Sequence, residues 1–304
     1  MTRSPLISVG IPVRNGGDYL AEALDSILAQ DLEDFEILIS DNASDDLTEE
    51  IGRNYAAKDA RVSYHRNPEN VGAAPNYNAV FQRSRGRFFK WAAHDDVLRP
   101  TFLRRCLETF EANPAAVVVH PRSDFIDAAG RYIRHDTDRN ATSSRSPRSR
   151  LAHLLRTVNM AAPVFGLMRR EALERTRLID SLVASDYILL AELALLGHFV
   201  EVPEVLFLRR LHGKSSREAN RTEREVAEWF DPSKLHRRFL TTRQRLMVEY
   251  MRSCWRLRGL SLGDRLTCAA TVPLVVTMRR IRTVGGRWKR RLQASTRREG
   301  PVDA

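Results

Sequence analysis

Cysteine is scarce in this 304-residue chain. Cys106, Cys254 and Cys268 are widely spaced and odd in number, which gives neither a disulfide framework nor a zinc-ligand spacing. A reducing compartment suits that usage. The 15 glycines and 13 prolines are too few for a collagen-like or low-complexity chain. Long apolar runs are missing too. Leu266–Met278 is uncharged for only 13 residues and contains Pro273, short of the ~18–20 residues that cross a bilayer. The opening Met1-Thr2-Arg3-Ser4-Pro5 leads straight into a strand-like segment, so no signal peptide is expected ahead of the fold.

What is present suits one large or two modest globular domains. Hydrophobic residues make up 43% and charged residues 29%, enough for a core that needs no covalent staple. The net charge of +11 is unevenly spread. Residues 1–204 hold 25 Lys and Arg against 29 Asp and Glu, whereas residues 205–304 hold 24 against 9. The body is mildly acidic and the last third strongly basic.

Along the chain, apolar runs alternate with amphipathic segments. Leu6–Val13 reads as a buried strand that ends at Arg14-Asn15-Gly16-Gly17, with Asp18 placed to cap a helix whose apolar face is Tyr19, Leu20, Ala23, Leu24, Ile27 and Leu28. Strands follow at Phe35–Ser40, Val62–Arg66, Arg87–Ala93 and 116–120, with helices near 47–57, from Pro75, and at 101–112. Asp136–Arg150 reads as a loop, Leu151–Val158 as a helix and Pro163–Met168 as a strand. Ser185 is placed to cap a largely apolar helix with Asp186 in its first turn, and Phe199–Leu208 is extended. Alternation of this kind indicates βαβ units and a mostly parallel sheet, in which ligands bind beyond the carboxyl ends of the strands. Asn15, Asp41 and the pair Asp95-Asp96 stand at such ends.

Each of these residues also has an ordinary structural use. Asp41 suits an Asx turn, and Asp186 suits a helix start. Two adjacent carboxylates are costly unless a cation, hydroxyls or solvent accommodate them, yet they also suit an exposed turn. Gly213-Lys214-Ser215 imitates the end of a P-loop, but position 208 is Leu208 instead of glycine, which excludes that motif. His65, His120 and His153 lack ligand spacing and read as structural.

Taken in order, ISVGIPVRN, FEILISDNASDD, NPENVGAAPNYN and FFKWAAHDD resemble the nucleotide-sugar-binding half of a family 2 glycosyltransferase, with similarity over about residues 6–215. The resemblance implies an α/β GT-A (Rossmann-like) fold, its mostly parallel central sheet flanked by helices; beyond about residue 216 the sequence pattern itself reads as a helical, arginine-rich C-terminal extension. The resemblance implies a nucleotide-sugar half over 1–120 and an acceptor-side half over 121–215, which leaves the extension over 216–304. It also implies an inverting transfer from a nucleotide-diphosphate sugar to a hydroxyl acceptor, a glycan or lipid-linked molecule of the cell envelope or surface, by a cytoplasmic enzyme peripheral to the membrane.

Position by position, Asp41 resembles the aspartate that contacts the base, with Pro12 lining the same pocket and Asn15 and Asn70 beside it. Asp95 matches the carboxylate near the ribose, and Asp96 the ligand of Mn²⁺ or Mg²⁺. The sequence here is His94-Asp95-Asp96, so the first carboxylate of a strict Asp-x-Asp is absent. Arg210-Leu211-His212 resembles an Arg-x-His segment in which His212 completes the metal shell and Arg209 or Arg210 offsets diphosphate charge. Asp186 corresponds to the catalytic base. The family often has an acidic pair there, where this chain has Ser185-Asp186.

Two other classes compete. A pI near 10.1 suits a nucleic-acid-binding protein, but the positive charge avoids the region with the site-like carboxylates, so no nucleic acid is expected. A catalytically silent nucleotide-sugar module would not need Asp41, Asp95, Asp96 and Asp186 together. The tail, residues 235–298, has two readings: an anionic membrane surface as partner, or a solvated, partly helical extension packing on the catalytic domain or on a second subunit. Met278, Ile281, Val284, Trp288 and Leu292 repeat at three and four residues within it, among arginines.

Overall fold

Chain order begins β1 (Ile7–Val13), α1 (Leu20–Leu28), β2 (Phe35–Asp41), α2 (Thr48–Lys58), β3 (Val62–Arg66), α3 (Ala73–Arg83) and β4 (Phe88–Trp91). It continues with β5 (Val97–Leu98), α4 (Phe102–Ala112), β6 (Ala116–Ile126), β7 (Tyr132–His135), α5 (Pro147–Thr157), a 3₁₀ turn at Ala162–Phe165, β8 (Leu167–Arg169), α6 (Arg170–Leu173), α7 (Ser185–Leu196) and β9 (His198–Arg210). Helices α8 (Glu223–Phe230), α9 (Thr242–Arg256) and α10 (Leu262–Thr296) close it. This is a computed structural model; it describes residues 4–214, 222–230 and 241–296, and for residues 223, 224, 227 and 280–296 the backbone alone.

Every residue of β1 is buried, as a central parallel strand covered on both faces requires. It pairs in parallel with β2 and with β4, and β2 pairs in parallel with β3. Gly10 permits the close cover by α3: a Cβ there would lie 2.6 Å from the Val80 side chain. The order across the sheet is β3-β2-β1-β4-β8-β6-β9-β5, with β7 paired to β6. The ends of β1, β2 and β4 therefore share one edge. The long parallel pair β6 and β9, shifted in register near Arg122, brings Arg210 opposite Ile126. Neighbours Val118 and Val119 enter different apolar clusters, as the two-residue period of a strand dictates.

Several local expectations need correction. Asp18 does not cap α1; it pairs with Lys214 at 2.7 Å, and the helix starts without a side-chain cap. Ser185 is the first helical residue of α7 and not its cap, which is Ala184 in a left-handed conformation at φ 65°. Pro163–Met168 splits into the 3₁₀ turn and the short β8, because Pro163 starts a tight turn whose chain pairs with β4 and β6 only from Leu167 onward. The polar segment 136–150 ends in helix: Ser146 accepts from the Ser149 amide, and Pro147 opens α5.

Helices α9 and α10 pack on the body. Tyr250, Cys254, Leu257, Cys268, Val272 and Val275 join α5 and α7 in one core. Arg177 adds a buried ionic tie, donating to Glu192 of α7 (2.8 Å) and to Glu249 (2.6 Å) and Ser253 (2.8 Å) of α9. Among the described residues no helix is long and apolar enough to cross a membrane. The backbone of α10 is helical through Thr296, but the side chains of Ile281, Val284, Trp288 and Leu292, and all of 235–240 and 297–298, lie outside the described residues.

Candidate active site

An open cleft of about 430 Å³ lies at the carboxyl edge of β1, β2 and β4. Two turns build its first wall. After β1, Asn15 sits at φ 53°; its amide donates to Ser44 Oγ (2.9 Å), and its Oδ1 accepts from the Asp45 amide (3.1 Å). The Gly16 amide donates to Thr48 Oγ1 (2.8 Å). The turn after β1 is thus fastened to the turn after β2. Pro12, Asn15 and Asn70 line the cleft, as does the exposed Arg14.

Asp41 is fully buried behind this wall. One carboxylate oxygen accepts from the amide and hydroxyl of Ser44, the other from the Tyr64 hydroxyl (2.5 Å) and Arg66 (3.0 Å). Burial and that carboxylate push the Tyr64 hydroxyl above its ordinary range. The neighbour of Asp41 lines the cleft: Asn42 is held by Asn67, Asn70 and the amide of Val71. Asn67 also donates to Asn76, which exchanges bonds with Ser40. This ladder of asparagines gives the buried Asn42 and Asn76 their partners, and the sequence reading missed all of it except Asn70. The asparagine-rich NPENVGAAPNYN run was the available signal.

Opposite stand the carboxylates that follow β4. Asp95 Oδ2 lies 2.9 Å from His212 Nε2, and Arg210 joins both aspartates: its amide donates to Asp96 Oδ1 and its Nε to the Asp95 carbonyl, each at 2.9 Å. The Arg210 guanidinium also donates to the carbonyls of Asp127 and Ala128 and to Glu22. It is 4% exposed and orders the turn through contacts already in place. Arg209, which lines the cleft, donates to Asp136 and the Met160 carbonyl. His212 stacks on Tyr19 with ring centroids 4.7 Å apart. Burial and the adjacent Asp95 carboxylate push Asp96 up to about 7.

Asp186 occupies the first turn of α7. Burial pushes it up to about 6, against the pull of backbone amides and Arg209. Tyr77, a cleft-lining residue absent from the sequence reading, connects the two groups of carboxylates. Burial raises its hydroxyl, and the charges of Asp95, Asp186 and Asp96 raise it further. Tyr77, Asp95 and Asp96 line the cleft, whereas Asp186, at the start of α7, is not among its lining residues.

Carboxylate oxygens are hard donors suited to Mn²⁺ or Mg²⁺, and the imidazole is a borderline donor better suited to Mn²⁺ than to Mg²⁺. His212, however, is engaged with Asp95, and among the described residues no group of three His, Cys, Asp or Glu closes on one point. The crowding that raises Asp96 is what a cation would relieve. The donor set therefore fits a metal shared with ligand oxygens and does not fit an all-protein cage.

Residues 8–177, more than half of the chain, match the family model for glycosyl transferase family 2; the chain belongs to that family. An uncharacterised glycosyltransferase of Rickettsia prowazekii is 40% identical over 97 residues, covering 32% of this chain and 29% of that protein. Chondroitin synthase of Escherichia coli is 26% identical over 218 residues, covering 71% of this chain and 30% of that protein. The match thus spans less than a third of either relative's length. Among solved structures, S. aureus TarS in complex with UDP-GlcNAc superposes with a TM-score of 0.63 at 15% identity, covering 88% of this chain and 71% of that one. A Pyrobaculum calidifontis mannosyltransferase in complex with GDP-Man and Mn²⁺ gives 0.55 at 16% identity, covering 99% and 77%. The fold is the expected GT-A type.

Proposed function

We propose that this family 2 protein transfers a sugar from a nucleotide-diphosphate donor to a hydroxyl acceptor with inversion, in the synthesis of a cell-envelope or surface glycan. The observation that carries this reading is the cleft at the carboxyl edge of β1, β2 and β4, lined by Pro12, Asn15 and Asn70 together with Asp95, Asp96 and Arg209. The donor half, 1–120, supplies the nucleotide pocket: Pro12, Asn15 and Asn70 line it, and Asp41 supports it through the turn it holds. Asp95 would face the ribose, and Asp96 and His212 would hold Mn²⁺ or Mg²⁺. The metal, when bound, supplies positive charge for the departing diphosphate; Arg210 keeps the two aspartates in place for it. On the acceptor side, within 121–215, Asp186 takes the acceptor's proton as its oxygen attacks the anomeric carbon. A value near 6 leaves it ionised at neutral pH yet more basic than an ordinary aspartate.

The test is nucleotide release from UDP-GlcNAc, GDP-Man and further nucleotide sugars with Mn²⁺ present. Release from one donor, sensitive to EDTA, is expected. Asp186→Asn should lose about 10²–10⁴ in rate while retaining donor binding by calorimetry. Near-normal turnover in that variant would remove Asp186 from the mechanism.

A further inference from the structure

We infer that the outer face of the α9–α10 hairpin docks on the surface of an anionic phospholipid bilayer. Leu262, Leu266, Ala270, Leu274 and Met278 recur every four residues along α10 and point outward. The four large side chains are 66%, 52%, 57% and 55% exposed. Gly263, Thr267 and Thr277 complete the exposed arc, roughly half the helix circumference, and no charged residue lies on it between Leu262 and Met278. The opposite arc, with Cys268, Val272 and Val275, is in the core. A helix apolar on both sides calls for a second apolar neighbour.

Charge identifies that neighbour. At the hairpin end Trp255 is 47% exposed, beside the exposed Arg256 and Arg258. Between Thr241 and Arg279 seven arginines stand against Glu249 and Asp264 alone, and the sequence of α10 continues with Arg280, Arg282, Arg287, Lys289, Arg290 and Arg291. Apolar side chains and a tryptophan framed by arginine are the composition of a helix lying in a membrane interface. A second copy of the chain fits less well, since a two-fold pairing of this face sets arginine against arginine. Arg279 ties α10 to the Leu155 and Val158 carbonyls and to Asn159, next to the cleft-lining Met160. The stripe therefore leads toward the acceptor side of the cleft. The docking itself stands independently of the transfer reaction proposed above.

Co-flotation of the full chain with vesicles of phosphatidylcholine and phosphatidylglycerol, and of phosphatidylcholine alone, tests this at low and high salt. Binding is expected to the anionic vesicles and to weaken with salt. The triple variant Leu262→Glu, Leu266→Glu, Leu274→Glu should lose at least about tenfold in partitioning. Arg256→Glu with Arg258→Glu should lose about fivefold or more per arginine. Circular dichroism should match wild type for both, because every substituted side chain is exposed. Failure of the wild type to bind anionic vesicles at low salt overturns the inference, as does unchanged binding by the leucine variant. A wild-type dimer in light scattering, abolished by the leucine variant while vesicle binding is absent, would assign the face to self-association.

Discussion

Replacing Lys90 with methionine removes a cation from the middle of the sheet while keeping the length of the side chain. The wild-type ammonium is fully buried, donates to the carbonyls of Trp91 (3.2 Å) and Phe165, and lies 4.4 and 5.2 Å from the ring centroids of Phe102 and Phe207. Burial lowers it from the ordinary 10.5 to about 7. Below pH 7 both folded and unfolded chains hold the proton, and the buried charge costs about 5 kcal/mol. Between about pH 7 and 10.5 the unfolded chain keeps a proton that the folded chain has lost, so this group's contribution rises with pH. Methionine removes the charge but leaves two carbonyls short of a donor, about 1–3 kcal/mol each. Near pH 6.5 the variant should thus be level with wild type or more stable by up to a few kcal/mol. Wild type should then gain on it by about 1.4 kcal/mol per pH unit. Urea unfolding of both chains, followed by circular dichroism between pH 8 and 9.5, reads this slope as their difference, in which shared titrations such as that of Cys106, raised from 9.0 to about 12, cancel. A stability difference that stays constant across that range would refute the account that burial strips folded Lys90 of its proton above about pH 7.

Two further outcomes follow from the same physics. The pH–rate profile of donor turnover should fall below pH 6, about tenfold per pH unit, because a base with its value raised to about 6 is lost to protonation there; a flat profile down to pH 4.5 would exclude Asp186 as the base. Arg177→Met should cost about 3–5 kcal/mol in urea unfolding, since it leaves the buried carboxylate of Glu192 without its cation and takes one of two arginines from Glu249, which keeps Arg252; a cost below about 1 kcal/mol would show that the ionic tie adds little to the docking of α9 on α7.

The strands β1, β2 and β4 were legible because their burial is written locally, as apolar runs ended by turn residues. Strand β5 has two residues, and all four of β7 are exposed, so neither carries an alternation to read; the partners of β5, Leu208 among them, lie far along the chain, whereas β7 pairs with β6 just before it. The site divides in the same way. Strand ends announced Asn15, Asp41 and Asp95-Asp96, but sequence says nothing about which way a side chain turns. Asp41 faces inward to four donors, and its neighbour Asn42 reaches the cleft wall. Arg210 invited a diphosphate, yet its donors are engaged by carbonyls more than eighty residues away. Tyr77 was invisible because its role depends on acids from two distant segments.

The excess of positive charge has a structural origin that composition alone conceals. Only five of the 49 basic residues are lysine, and many of the arginines serve neutral carbonyls. Arg150 donates to Ala194 and Leu195 at the end of α7, which has no basic residue of its own in its last turn. Arg279 does the same for Leu155 and Val158 after α5, Arg265 for Trp255 and Leu257 after α9, and Arg170 for Ser84 after α3. A helix end leaves up to four carbonyls without partners and a partial negative charge. The planar guanidinium reaches two of them at once, which an ammonium does less well. Apart from Arg170, which also pairs with Glu174, these caps add positive charge with no carboxylate among the described residues hydrogen-bonded to match it. A surplus built this way needs no nucleic acid to explain it. The arginines left facing outward, Arg256 and Arg258, then gain meaning from their position beside the leucine stripe of α10.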